Sequence, residues 1–155
     1  MVILGSFDAS GSPVITIRVI GPDGLYKDYQ ATIDTGFTGF IAMNVNELVP
    51  LHLQTEGATE VTLADGSAVY NLLALGSVTV GGKTESGSIL LDDNSGDVLV
   101  GLDFLRAFNL ALIITSAMVI LYDKDEALSV IFQLMATEPT GSPDTTPTGG
   151  STGEA

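Results

Sequence analysis

The residues of this chain best placed to do chemistry are Asp34, Thr35 and Thr38, in the run Ala31-Thr32-Ile33-Asp34-Thr35-Gly36-Phe37-Thr38-Gly39-Phe40. Tyr29, Ala31 and Ile33 alternate with Gln30 and Thr32, the period of a half-buried strand that ends on Asp34. The spacing predicts a buried acid at the strand end, followed by a loop that Gly36 and Gly39 allow to turn sharply and pack closely. Burial among apolar groups raises a carboxyl pKa, hydrogen bonds to the ionised form lower it, and a second carboxyl within about 3 Å forces the two to share a proton. Such a pair is acid–base machinery, and one Asp34 is half of it. A turn carboxylate capping its own backbone, with Thr35 and above all Thr38 as ordinary turn hydroxyls, is the alternative that the residues alone leave open.

The other chemistry-bearing residues point elsewhere. His52 lies between Leu51 and Leu53 with no Ser or Cys nucleophile motif and no second His, which makes it a surface or core-edge residue. Asp92, Asp93, Asn94 and Asp97 lack the alternating ligands and terminal bidentate Glu of a calcium loop, so they read as a solvated loop. Asp103 opens a short helix, where a carboxylate suits the dipole. Zero cysteines exclude disulfides, thiolate metal sites and a cysteine nucleophile, and no metal or cofactor is expected.

A chain of 155 residues, 45% hydrophobic, has room for one domain with a real core. Its net charge of −14 argues against nucleic acid or an anionic membrane face as partner and favours basic or neutral substrates. The start, Met1-Val2-Ile3-Leu4-Gly5-Ser6-Phe7-Asp8, lacks the basic region of a signal peptide, and no run approaches the ~18 apolar residues of a membrane helix. The expectation is a soluble, cytoplasmic protein.

Positioning Asp34 falls to a series of short strands. Val2 to Phe7 and Val14 to Ile20 read as strands around the turn Ser10-Gly11-Ser12-Pro13, and Gly21-Pro22-Asp23-Gly24 returns the chain into the strand ending at Asp34. Asn44 with Glu47 resembles a capping box, so Val45 to Val49 is expected as a short helix or single turn. Glu60 to Leu63 and Ala68 to Tyr70 flank Asp65-Gly66, a two-residue hairpin signal, and the tip is a candidate mobile lid. Leu72 to Val80 and Thr84 to Leu91 form a further hairpin about Gly81-Gly82. Val98-Leu99-Val100 closes on Gly101, a short helix follows through Leu102, Leu105 and Phe108 to Asn109, and Leu110 to Ile114 and Ala117 to Tyr122 are strands.

Leu128, Ile131, Phe132 and Met135 stand at helical spacing and predict a final amphipathic helix. From Thr137 onward nothing larger than Pro is available to bury, and that stretch reads as a disordered tail. The organisation expected is an N-terminal strand and turn over 1–13, a main domain over 14–122, an amphipathic extension over 123–136 and the tail over 137–155. The class is all-β, a partly closed barrel with one or two short helices. Ile33-Asp34-Thr35-Gly36 and Val98-Leu99-Val100-Gly101 echo one another as apolar strands ending on Gly, as two half-units about a pseudo-twofold would.

Three motifs in order carry a resemblance: Ile33-Asp34-Thr35-Gly36, then Leu63-Ala64-Asp65-Gly66-Ser67 about thirty residues later, then Val98-Leu99-Val100-Gly101-Leu102-Asp103-Phe104-Leu105. Over Val14 to Tyr122 the chain resembles the retropepsin-like aspartic proteases, the single-domain relatives of pepsin. The resemblance implies a psi-type core, with Asp34 as the catalytic carboxylate. Thr35 would tie two such loops together, and Gly36 would let the loop backbone approach the carboxylates. Leu63, Ala64, Asp65, Gly66 and Ser67 would be the flap over a bound peptide, with Phe37 and Gly101 supporting the site. Phe37 departs from the Ala or Ser of the viral and pepsin branches and is similar to the prokaryotic branch, which leaves substrate preference open. Peptide hydrolysis by this chemistry needs two carboxylates, and the chain has one D-[ST]-G, so the resemblance implies a homodimer sharing one site and a peptide or unfolded-protein substrate. A dimerisation or peptide-binding module that keeps the fold without turnover is the rival reading.

Overall fold

The computed structural model describes residues 1–93 and 96–136. The expected tail over 137–155 lies outside the described residues. The described chain forms strands β1 (Val2–Phe7), β2 (Pro13–Ile20), β3 (Tyr26–Ile33) and β4 (Ile41–Asn44), a 3₁₀ turn (Val45–Glu47), then β5 (Gln54–Thr62), β6 (Ala68–Val80), β7 (Lys83–Asp92) and β8 (Val98–Val100). Helix α1 (Leu102–Ala107), β9 (Leu110–Ile114), β10 (Val119–Asp123) and α2 (Lys124–Ala136) follow.

The strands lie in the order β5-β6-β7-β4-β8-β3-β2-β1-β10-β9, and β2 also pairs with β6. That extra pairing, Arg18↔Thr79 to Ile20↔Ser77, closes β2, β3, β8, β4, β7 and β6 into a six-strand barrel. The barrel abolishes the edges of its own six strands. The arm β5 and the terminal strands β1, β10 and β9 extend outside it. The class is all-β with two short helices, as the sequence predicts.

Alternation along the strands fills the barrel. Ile15, Ile17 and Val19 on β2 and Ala31 and Ile33 on β3 point inward with 0–6% of their surface exposed, and Thr16, Arg18 and Gln30 point out. Met43, Val78, Ile89, Leu91 and Val100 complete the interior. Phe104 and Phe108 of the α1 segment plug one side, their rings 4.7 Å apart at 44°, with Phe40 5.8 Å from Phe104.

The centre of the barrel carries the psi-type arrangement. β3 runs parallel to β8 (Ile33↔Val100), β7 runs parallel to β4 (Leu91↔Met43), and β4 and β8 are antiparallel between them. A twofold axis between β4 and β8 exchanges β3 with β7. The internal echo is therefore corrected in its pairing: β8 answers β4 across the axis, and it is β3's parallel neighbour.

Two strand segments escaped the sequence reading. Ile41-Ala42-Met43 of β4 is buried on both faces, so no alternation marks it. Gln54 to Ala58 of β5 is exposed throughout and offers no apolar face. The strands read separately as Ala68 to Tyr70 and Leu72 to Val80 are one thirteen-residue β6. The capping box at Asn44 is half formed. The Asn44 side chain accepts from the Asn46 N–H at 2.9 Å, but Glu47 turns away to accept from Tyr29 Oη at 2.5 Å and Lys27 Nζ at 3.0 Å. Burial first, and then the Glu47 carboxylate, push the Tyr29 phenol above its ordinary pKa. Among the described residues no helix is long and apolar enough to cross a membrane.

Candidate active site

Asp34 leaves the end of β3 beside the last residue of β8. Its N–H donates to the Val100 carbonyl at 3.0 Å, extending the parallel ladder by one bond. Its carbonyl accepts from the Phe37 N–H at 3.1 Å, and its side-chain Oδ1 accepts from the Gly36 N–H at 2.9 Å. A carboxylate that takes a backbone N–H two residues on is the turn geometry of Asp, so the turn-capping reading describes part of its bonding. A Cβ at position 36 would lie 3.1 Å from Asp34 Oδ1, and glycine removes that crowding.

The expectation of a buried acid is corrected. Asp34 is half-buried, Thr35, Gly36 and Thr38 are exposed, and among the described residues no polar or charged side chain is fully buried. The physical reason is the loop's place at the end of the barrel, where one chain leaves its outer side open to solvent.

The inner side of the loop is closed by the segment after β8. The Gly101 N–H donates to the Phe40 carbonyl at 3.2 Å, Leu102 N–H to the Phe37 carbonyl at 2.9 Å, and Asp103 N–H to the Thr38 carbonyl at 3.1 Å. The first N–H groups of a helix have no intrahelical acceptor. Here the carbonyls of the Asp34 loop supply one, and Gly101, the N-cap, makes no side-chain bond of its own. A Cβ on Gly101 would overlap the carbonyl oxygens of Phe37 and Gly39 and come within 2.7 Å of the Phe37 ring. The half-buried Phe37 ring also covers Gly39, where a Cβ would meet its Cζ at 2.5 Å. Phe37, Gly39 and Gly101 thus form one close-packed unit behind Asp34. Asp103 faces outward and pairs with Arg106 at 2.8 Å.

The Leu63–Ser67 hairpin tip is built differently. The Leu63 N–H donates to the Ser67 carbonyl at 2.8 Å, the Gly66 N–H to the Leu63 carbonyl at 2.9 Å, and Asp65 Oδ1 accepts from Ser67 N–H at 2.9 Å and Ser67 Oγ at 2.6 Å. Gly66 has φ +83° while Asp65 stays at negative φ. The connection is accordingly a three-residue loop with a left-handed glycine, in place of the two-residue turn that Asp-Gly signals. The two bonds from Ser67 hold the Asp65 carboxyl below its ordinary pKa. Leu63, Ala64, Asp65, Gly66 and Ser67 are all exposed.

A cleft of about 650 Å³ separates the two structures, lined by Phe37 and Thr38 on one side and by Thr59, Val61 and Thr62 of the hairpin arm on the other. Ser86 and Ser88 of β7 add hydroxyls to it that no local motif announces. Neither Asp34 nor the tip residues line this cleft. The structure therefore brings Asp34, Phe37 and Gly101 together and sets the hairpin across a cleft from their loop. His52 lies apart, exposed, with Nδ1 2.6 Å from Asp23 Oδ2, and the described residues contain no cluster of three metal-ligating side chains.

No protein-family model matches this chain, and no curated protein matches it. Solved structures do. The EIAV protease, in complex with the inhibitor HBY-793, superposes with a TM-score of 0.56 at 14% identity, over 70% of this chain and 99% of that one. A retropepsin-like aspartic protease from Rickettsia conorii superposes with a TM-score of 0.50 at 17% identity, over 78% of this chain and 90% of that one. A Legionella pneumophila protein of unknown function matches at TM-score 0.39 and 16% identity, over 61% of this chain and 85% of that one, too loose a likeness to argue from. At these identities the likeness is one of fold, and it agrees with the closed barrel and psi-type core described above. The chain has the fold of the retropepsin-like aspartic proteases.

Proposed function

We propose that this protein is an aspartic endopeptidase that works as a homodimer, with one Asp34 from each chain flanking a shared water. The observation that carries this reading is the Asp34-Thr35-Gly36 loop itself, at the end of a central parallel strand of a retropepsin-like fold, with its inner side packed and its outer side open. One deprotonated Asp34 takes a proton from the water as it attacks the scissile carbonyl, and the other, protonated, polarises the carbonyl oxygen. Because the reaction uses one ionised and one protonated carboxyl, activity is greatest in mildly acidic solution. Thr35 links the two loops, and the Leu63–Ser67 hairpin closes over an extended peptide whose side chains enter the cleft beside Phe37.

The test is Asp34→Asn. Cleavage of an unfolded polypeptide at pH ~5 falls about 1000-fold or more, while the oligomeric state by sedimentation is unchanged. A variant that cleaves as well as the wild type would rule out the mechanism. A wild-type protein that binds peptide under the hairpin without cleaving it would identify the non-catalytic module instead.

A further inference from the structure

Helix α1, the start of β9 and the first turns of α2 enclose a groove of about 500 Å³. It shares no lining residue with the cleft beside Phe37. Leu102 and Leu105 of α1, Leu110 of β9 and Leu128 of α2 give it apolar walls, and Leu128 is 42% exposed. Arg106 and Lys124 also line it, and among the described residues no carboxylate does. The chain has five cations against nineteen acids, so two cations at one apolar groove depart from its general charge.

The ion pairs set Lys124 apart. Arg18, Lys27 and Lys83 pair with Asp28, Glu47 and Glu85 at 2.7, 3.0 and 3.3 Å. Lys124 meets no carboxylate among the described residues, although three acids adjoin it in sequence. Each of those is engaged elsewhere: Asp123 Oδ1 accepts from the Asp125 N–H at 3.0 Å, Asp125 Oδ2 from Asn109 Nδ2 at 3.4 Å, and Glu126 Oε2 from the N-terminal ammonium at 3.3 Å. Arg106 gives one N–H group to Asp103 at 2.8 Å, which leaves other donors of its guanidinium for a second anion. A cation is disfavoured in the first turn of a helix, yet Lys124 opens α2. The walls are held together, because the Asn109 carbonyl accepts from the Lys124 N–H at 2.7 Å and ties the end of the α1 segment to the start of α2.

We infer that this groove binds the free C-terminus of a partner polypeptide ending in an apolar residue. The last side chain fills the leucine-lined floor, and the terminal carboxylate meets Lys124 and Arg106. Charge complementarity selects a carboxylate, the acceptor that ammonium and guanidinium groups bind most strongly. The net charge of −14 selects a single one, since the molecule as a whole repels every further negative charge on the ligand. A polypeptide is favoured over a fatty acid because β9, which supplies Leu110 and Ala111, is the last strand of the sheet. Its outer edge, unpaired among the described residues, offers N–H and C=O groups to an extended backbone, and a hydrocarbon chain uses none of them. Binding here draws on no Asp34 chemistry.

The test follows the amide resonances of the intact chain at pH ~7 during titration with acetyl-Gly-Ser-Gly-Ser-Gly-Leu, as the free acid and as the C-terminal amide. The free acid shifts the amides of Ala111 and Lys124 and binds about tenfold more tightly than the amide. Lys124→Glu removes that preference, and Lys83→Glu, at a cation outside the groove, keeps it. Acid and amide that bind alike to the wild-type chain overturn the site, and that comparison needs no variant to fold. Shifts confined to the Asp34 loop also overturn it, by placing the peptide in the cleft. Dodecanoate that moves the same amides while the peptide moves none makes the occupant a lipid, and shifts of these amides on dilution alone make it a second copy. Either result overturns the proposal.

Discussion

The Asp34 loop and the Leu63–Ser67 hairpin tip are both short turns built around an aspartate and a glycine, yet the molecule holds them in opposite ways. The carbonyls of the Asp34 loop cap the start of α1, and a Cβ on Gly101 would strike that loop. Among the described residues the hairpin tip is bonded only within itself, it is exposed throughout, and a Cβ on Gly66 would meet nothing within 4 Å. The difference teaches where rigidity is needed. Under the proposed function Asp34 would gain from being fixed before the substrate arrives, and the hairpin, as a lid, would need few contacts in order to open and close.

The comparison breaks most sharply at Gly101. Gly101→Ala forces Cβ against two backbone carbonyls that cannot swing aside, and should lower the unfolding free energy in urea by about 3 kcal/mol and abolish activity with it. Phe37→Ala empties the space over Gly39 and Gly101. Because Phe37 is only half-buried, the expected loss is smaller, about 2 kcal/mol by the same measurement. Gly66→Ala meets no neighbour but places a Cβ at φ +83°, a local strain of about 1 kcal/mol. It should speed amide exchange at Leu63 and Ser67 and leave the exchange of Asp34 and Leu102 unchanged. If instead the whole barrel loosens, the two regions are not independent.

The smallest effect is one of pH. Asp65 has its carboxyl lowered from 3.8 by the Ser67 bonds. A group with a depressed folded pKa stabilises the fold above its unfolded pKa and loses that contribution as pH falls through the folded value. The hairpin turn is therefore intact at the mildly acidic pH proposed for activity and loosens only below 3.8. Ser67→Ala removes the Oγ bond and keeps the backbone N–H, so it should weaken this dependence without abolishing it, read as amide exchange of the tip against pH.

Much of this arrangement was legible in the chain. Asp34, its two glycines, the hairpin at Asp65 and the strand ending on Gly101 are marked by local alternation and turn residues, and each lies where those signals place it. The acid's burial was misjudged because a strand's period reports which side faces in, while exposure at a strand end depends on what covers it. β4 was hidden because a strand buried on both sides has no alternation. The six-strand closure was hidden because β2 and β6 are far apart in sequence, and nothing local in Arg18-Val19-Ile20 names Ser77, Val78 and Thr79 as partners. Phe37 shows the same limit: its ring covers Gly39 and Gly101, a contact made by the return of β8.

The central claim is that one site is made from two chains, and mixing tests it directly. Wild-type protein is combined with increasing Asp34→Asn at constant total concentration, allowed to exchange subunits, and assayed for cleavage at pH ~5. If each site needs both Asp34 carboxylates, activity follows the square of the wild-type fraction, about a quarter of the original at equal amounts. Activity that falls linearly, to about one half, would mean that each chain acts alone, and would contradict the account.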